Sequence, residues 1–221
     1  MSELLLISAS GLAREVLATV RSSGRYDVVG FLDDDEAMSR IELDGAPVLG
    51  SIDDAVRYPH AFLLVCVDSG RPRQTVVERL SAMGIGTARY ATLIDPTVRM
   101  SDGCRIGRGS ILLQNVTLTA SVTLGAHVVA MPGVTFTHDD VVDDYATFAA
   151  GTSLGGGVRI GRAVDLGMNS SVRERTSVGA YATVGMGAAV LTNVPDGETW
   201  VGVPAQQERV VGALTEARKW S

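Results

Sequence analysis

Three histidines carry most of the chain's capacity for proton chemistry, and one of them has a carboxylate beside it. His138 is followed directly by Asp139, within Thr137-His138-Asp139-Asp140. An imidazole titrates near neutral pH, and an adjacent carboxylate stabilises its charged form, so such a pair suits proton transfer. A lone outward histidine is more often simply solvated. His127 has no acidic neighbour and reads as a surface or interface residue, and His60 follows Pro59 in a loop with no functional argument. A second cluster lies near the start, where Ser8-Ala9-Ser10-Gly11 separates an apolar run from a helical pattern. A glycine there lets backbone N–H groups approach an anion at a helix start. The next apolar run ends in Asp33-Asp34-Asp35. Equally, Gly11 can merely make a turn and the aspartates can be solvated loop residues. Cys66 and Cys104 have no metal or redox spacing and sit in apolar runs, which predicts buried free thiols.

The elements that hold these residues divide the chain by period. Up to about residue 92, strands and helices alternate. Leu4–Ser8 and Val28–Leu32 read as strands, and Leu12, Ala13, Val16, Leu17 and Val20 mark one helical face between them. Ser51 with Asp54 starts a short helix to about Tyr58, Phe62–Val67 is a fully apolar strand, and Pro72 opens a helix stopped by Gly84. That alternation predicts a small parallel α/β unit.

From Met100 every sixth residue through Val190 is apolar, and four residues after each comes a small or β-branched residue, except at Asp140. Glycines recur just after the apolar position, at Gly107, Gly125, Gly155, Gly161, Gly167, Gly179 and Gly185. Neither a helix nor an ordinary strand has period six, but a three-sided coil does, so residues 18 apart stack. The array makes about five coils, roughly 25 Å of stack. Inward positions are 136 and 140, so His138 faces outward at a corner. Spacing alone leaves the hand of the coil open. Val194-Pro195-Asp196-Gly197 and Gly202-Val203-Pro204-Ala205 follow, then a short tail with helical character from Gln207 to Trp220.

Composition fits this picture. Of 221 residues, 46% are hydrophobic but only 5% aromatic, while 25 are glycine, which favours a core of small and branched side chains with many corners. The net charge of −6, without a block of like charges, argues against a basic nucleic-acid face. No signal-like leader and no apolar stretch of membrane-spanning length is evident, so the expectation is a cytoplasmic protein with no membrane partner.

Four landmarks, in order, carry a resemblance over almost the whole chain: Ser10-Gly11-Leu12-Ala13-Arg14-Glu15-Val16, Gly30-Phe31-Leu32-Asp33-Asp34, Thr137-His138-Asp139, and Val201-Gly202-Val203-Pro204-Ala205. With the repeats between the second and the last, the chain resembles the sialic acid O-acetyltransferase family of sugar acyltransferases, which includes N-acetyltransferases of nucleotide-linked 4-amino sugars. The resemblance implies a left-handed parallel β-helix, a homotrimer, and acetyl transfer from acetyl-CoA without metal. It implies a Rossmann-like nucleotide-sugar domain over 1–92, the acyltransferase β-helix over 93–205 and a tail over 206–221. Ser10, Gly11, Leu12, Asp33, Asp34 and Val67 would face the nucleotide sugar. His138 would be the general base, with Asp139 raising its basicity. Thr147, Gly156, Gly202, Val203, Pro204 and Ala205 would line the acetyl-CoA groove, the adenine toward the last four. Positions 138 and 147 are half a coil apart, so a pocket using both would draw them from two subunits.

The chain departs from the family at several of these places. Leu12 and Thr147 stand where relatives carry histidine, Val67 where glycine is common, Asp95 in a usual His-Pro, and Asp140 where cysteine is frequent. Alternatives are O-acetylation of a free or sialic-type sugar and a non-catalytic sugar-nucleotide-binding protein. A zinc enzyme of the carbonic anhydrase kind needs three histidines, and only His127 and His138 lie in the repeats. A nucleotidyltransferase would need an extended basic glycine-rich loop that the N-terminal half lacks.

Overall fold

The computed structural model describes residues 1–39 and 41–208. The helix expected over 207–220 lies almost wholly outside them. The N-terminal unit is a sheet in the order β3-β4-β2-β1-β5, from β1 (Ser2–Ile7), β2 (Tyr26–Leu32), β3 (Glu42–Leu43), β4 (Ala46–Gly50) and β5 (Phe62–Val65). All neighbours are parallel except β3 and β4. Helix α1 (Gly11–Ser23) buries Leu12, Ala13, Val16, Leu17 and Val20, the face read from the sequence. It begins at Ser10, whose Oγ accepts from the Ala13 N–H, and ends at Gly24 with φ of 62°. Helix α2 (Gly70–Ala82) starts two residues before Pro72, which sits in its first turn, where a missing N–H costs nothing. The Ser51 segment is a 3₁₀ turn over Ile52–Arg57 with the expected reciprocal cap between Ser51 and Asp54.

From Leu93 the chain winds into a prism with three sheet faces. Every strand pair within the repeats is parallel and 18 residues apart, as in Thr117 with Thr135 and Thr147 with Asp165. This is the expected left-handed β-helix. The coil starts one unit before Met100, at Leu93–Ile94 against Ile111–Leu112. It loses two residues at the end, where Val184 pairs with Trp200. The inward series is buried along the prism, but Met100, Cys104 and Ile106, in the opening coil, are not. Cys66 is a buried free thiol as expected; Cys104 is free but half-buried, because no coil covers the end of the prism on its side.

Two glycine phases have two causes. The glycines just after the apolar position lie where the next coil's backbone passes; a Cβ on Gly107 would collide with Gly125 and Ala126. The corners themselves fall elsewhere: every sixth residue from Gly103 to Gly187 has positive φ, glycine or not. Asp139 is one of these, with φ of 63°, and aspartate tolerates that conformation better than most side chains.

The N-terminal unit rests on the third face, which carries Ile111, Val129 and Thr147. Leu12, Leu64 and Ala91 share a core with Ile111, Leu113 and Val129. Arg73, fully buried on α2, is the main polar fastening. Its guanidinium donates to the carbonyls of Val67 (2.6 Å), Asp68 (2.9 Å), His127 (2.9 Å) and Tyr145 (2.7 Å), and to Thr147 Oγ1 (2.9 Å). His127 is therefore an interface residue within the chain and not a surface one. Its ring stacks on Tyr145 and meets Tyr90 edge-on.

Burial depresses His127 from its ordinary value to about 4, with the Arg73 charge adding to the effect. The unfolded chain then takes up this proton before the folded one does. Stability from His127 is present above about pH 6.5 and lost as pH falls toward 4. The buried Asp140 carboxyl, pushed up to about 6, acts oppositely, with stability lost as pH rises through that value. His127→Phe should therefore gain melting temperature relative to the parent as pH falls from 6.5 to 4. Parallel melting curves with no such divergence would show His127 titrating normally.

Candidate functional site

His138 and Asp139 occupy the corner between Thr135–Phe136 on the first face and Val141–Val142 on the second. The turn is tied on both sides: the Asp139 N–H donates to the Ala120 carbonyl (3.0 Å) one coil below, and the Gly157 N–H to the His138 carbonyl (2.8 Å) one coil above. The His138 Nδ1 to Asp139 Oδ2 distance is 2.9 Å. A carboxylate only accepts, so Nδ1 carries the proton, and in the neutral ring Nε2 then holds the lone pair. The imidazole lies against Gly156, whose missing side chain makes its place: a Cβ there would fall within contact distance of His138 Nε2 and Cε1. Gly156→Ala should displace the ring from Asp139 and lower any His138-dependent turnover by about tenfold or more. Unchanged turnover in a folded Gly156→Ala protein would show that the ring needs no such seat.

Upward from this corner the register of 18 runs from His138 to Gly156, Glu174 and Thr192. The steps are marked by Gly157 N–H to His138 carbonyl and Arg175 N–H to Gly156 carbonyl (2.9 Å). Thr192 lines a cleft of about 490 Å³ with Leu191, Trp200, Pro204, Ala205 and Gln206. Three coils separate cleft and imidazole, roughly 14 Å along the stack. The structure thus places Gly156, Pro204 and Ala205 along one edge with His138. Gly202 has φ of 93° and bonds through its carbonyl to the Ala189 N–H, and Val203 beside it is largely exposed.

Thr147 does not join them. It lies on the third face, across the prism from His138, and its hydroxyl donates to the Asp68 carbonyl (2.9 Å) while accepting from Arg73. It borders a different cleft, about 370 Å³ and mainly apolar, between Asp68 and Ser69 ahead of α2 and Met131, Ala149, Leu166 and Met186 of the prism.

The residues expected to face a nucleotide sugar gather at the carboxyl ends of β1, β2 and β5. Ser10 Oγ donates to the Cys66 carbonyl (2.6 Å), tying the first turn to the end of β5. A Cβ on Gly11 would meet nothing within 4 Å, so the space before the helix is open. The Leu12 side chain is buried in the apolar core and not in that space. Asp68, after β5, stands beside the Leu12 backbone at the start of α1; sequence reasoning missed it because it lies 56 residues away in the chain. Burial and the neighbouring Arg73 charge act on Asp68 in opposite directions, and burial prevails, raising its carboxyl. Asp33 accepts from the Ala9 N–H (2.6 Å) and Asp35 N–H (2.8 Å), and Asp34 from the Ile52 N–H (3.0 Å) while pairing with Arg79. Val67 is half-buried and serves Arg73 through its carbonyl. Asp95, buried, caps the turn into the first coil through Thr97. Among the described residues no helix is long and apolar enough to cross a membrane, and no group of three or more His, Cys, Asp or Glu is placed to hold a metal.

Residues 3–80 match the family model described as PglD N-terminal domain. The fold of nearly the whole chain matches the acetyltransferase domain of PglB from Neisseria gonorrhoeae FA1090 in complex with acetyl coenzyme A. Identity is 28%, the TM-score is 0.85, and 94% of this chain and 99% of that one are covered. PerB from Caulobacter crescentus, in complex with CoA and GDP-perosamine, matches at 25% identity and TM-score 0.85 over 95% and 98%. Among curated sequences, the UDP-3-O-acylglucosamine N-acyltransferase of Caulobacter sp. (strain K31) is 30% identical over 109 residues, 49% of this chain and 32% of that protein. The chain thus spans about a third of that relative's length. The resemblance to hexapeptide-repeat sugar acyltransferases is borne out.

Proposed function

We propose that the chain transfers an acetyl group from acetyl-CoA to the amino group of a nucleotide-linked 4-amino sugar, with His138 as general base. The observation that carries this reading is the His138–Asp139 pair, its imidazole seated on bare Gly156 with Nε2 unbonded among the described residues, on the edge that leads to the Pro204–Ala205 cleft. An extended pantetheine arm running along that edge would put the thioester at His138 and the adenine end at the cleft. The acceptor nitrogen attacks the thioester carbonyl while Nε2 takes its proton. Asp139 stabilises the imidazolium, and the CoA thiolate leaves and recovers that proton. The Gly156 N–H would serve as the donor to the developing oxyanion, since the Gly157 N–H is already given to the His138 carbonyl.

The two parts of the chain, 1–92 and 93–205, divide the work in this reading. Ser10, Gly11, Asp33 and Asp34 border the open space where the sugar nucleotide would sit. The proposed assembly is a homotrimer, because Thr147 and the apolar cleft lie across the prism from His138 of the same chain, so a pocket using both would draw them from two subunits. The names of the matched proteins support both co-substrates: one is bound to acetyl coenzyme A, another to CoA and GDP-perosamine. A thiol-release assay with acetyl-CoA tests the reading, run against nucleotide 4-amino sugars, free sialic-type sugars and a no-acceptor control. Release only with the nucleotide amino sugars is expected. Release only with hydroxyl acceptors would replace N-acetylation with O-acetylation.

A further inference from the structure

We propose that Asp140 is the positioning residue of the His138 site: its buried carboxylate ties the turn that carries His138 to the coil above and so holds the imidazole against Asp139. This rests on the reading of His138 as the base. Asp140 is fully buried, at an inward position otherwise given to small or branched residues. At the same corner of the coils below and above, the chain has Val122 and Val158. The carboxylate bonds in two directions. Oδ2 accepts from the Thr137 N–H (2.8 Å), closing the turn across His138 and Asp139, and Oδ1 accepts from the Val158 N–H (2.8 Å) in the next coil.

Joining coils does not itself require an acid. At another corner Ser110 does so with a hydroxyl, its Oγ accepting from the Val128 N–H (3.1 Å). A buried carboxylate is far costlier than a hydroxyl, and what it adds here is the second acceptor, aimed into the turn that bears the base. A side-chain amide cannot reproduce it, because its nitrogen only donates and would face an N–H.

The same geometry gives the position a proton-dependent state. Burial raises the Asp140 carboxyl to about 6 against the pull of its two N–H donors; the charged groups bearing on it are His138, which lowers it, and Asp139, which raises it. As pH falls through that value the carboxyl is protonated and loses acceptor strength, so the turn that carries His138 loosens. Protonation of Asp140 then contributes to the fall in activity in acid.

The test compares the parent with Asp140→Asn and Asp140→Cys. Cysteine already occupies the equivalent inward position at Cys104, so it fits the repeat. The ¹⁵N imidazole spectrum of His138, assigned by its absence in His138→Ala, reads how far Nδ1 holds the proton. Both variants should shift the His138 tautomer ratio at least about twofold and leave His127 unchanged. Their kcat should fall about tenfold or more, with KM for acetyl-CoA within about twofold. The contribution to the acid limb of kcat centred near pH 6 should be lost in both. An unchanged His138 spectrum in either folded variant would overturn the proposal, as would parent-like kcat with a parent-like acid limb. A shifted spectrum in a protein that transfers no acetyl group would uphold the positioning role and sink the transferase reading instead.

Discussion

His138→Ala should lose turnover by about a hundred- to ten-thousand-fold, the usual worth of general-base assistance, with the fold and acetyl-CoA binding intact. The side chain is two-thirds exposed and packs into no core, so its removal leaves no cavity. The turn beneath it is held by backbone bonds from Asp139 and Gly157 that the substitution does not touch. Asp139→Asn should cost less, because it removes the charge that stabilises the imidazolium but leaves the base. Steady-state kinetics with a binding isotherm for CoA separates the outcomes. A loss confined to CoA affinity would place His138 in the donor groove and take away its role as base.

The second large effect concerns stability. Arg73→Met should destabilise the protein by about 3–5 kcal/mol, the usual cost of removing one side of a buried charged network. At this chain length that lowers the melting temperature by about 10 °C. The guanidinium bonds to carbonyls of both parts of the chain, and its loss leaves them buried without donors. Burial already pulls Arg73 down to about 10, with Asp165 and Asp68 opposing, so it stays charged at neutral pH. Arg73→Lys should recover only part of the loss, because an ammonium has three donors and no fork. Thermal melts of both variants check this. A melting temperature within a degree or two of the parent would show that the apolar contacts around Leu12 and Val129 carry the docking alone.

The prism was legible because each inward side chain must repeat every six residues to stay inside, and that demand is written in side-chain type. Its corner conformation was not, because residues as different as Asn115, Tyr145 and Arg175 adopt it, and no residue type marks the position. The docking of the two parts was hidden for a related reason. Arg73 binds carbonyls, which every residue has, so nothing in the sequence announced its partners. Burial of His127 and the use of Thr147 as a docking hydroxyl both follow from that contact. At the proposed site the His138–Asp139 pair and its neighbour Gly156 could be read from motif and the 18-residue register. Asp68 at the start of α1 could not, because only the fold brings it there.

The most direct measurement is the product itself. The purified protein is incubated with acetyl-CoA carrying a ¹³C-labelled acetyl group and a nucleotide-linked 4-amino sugar, and the sugar is analysed by mass spectrometry and NMR. The account predicts one labelled acetyl on the 4-amino nitrogen, formed many-fold faster by the parent than by His138→Ala. Label appearing on a hydroxyl, or on the nitrogen at equal rates in both proteins, would contradict it.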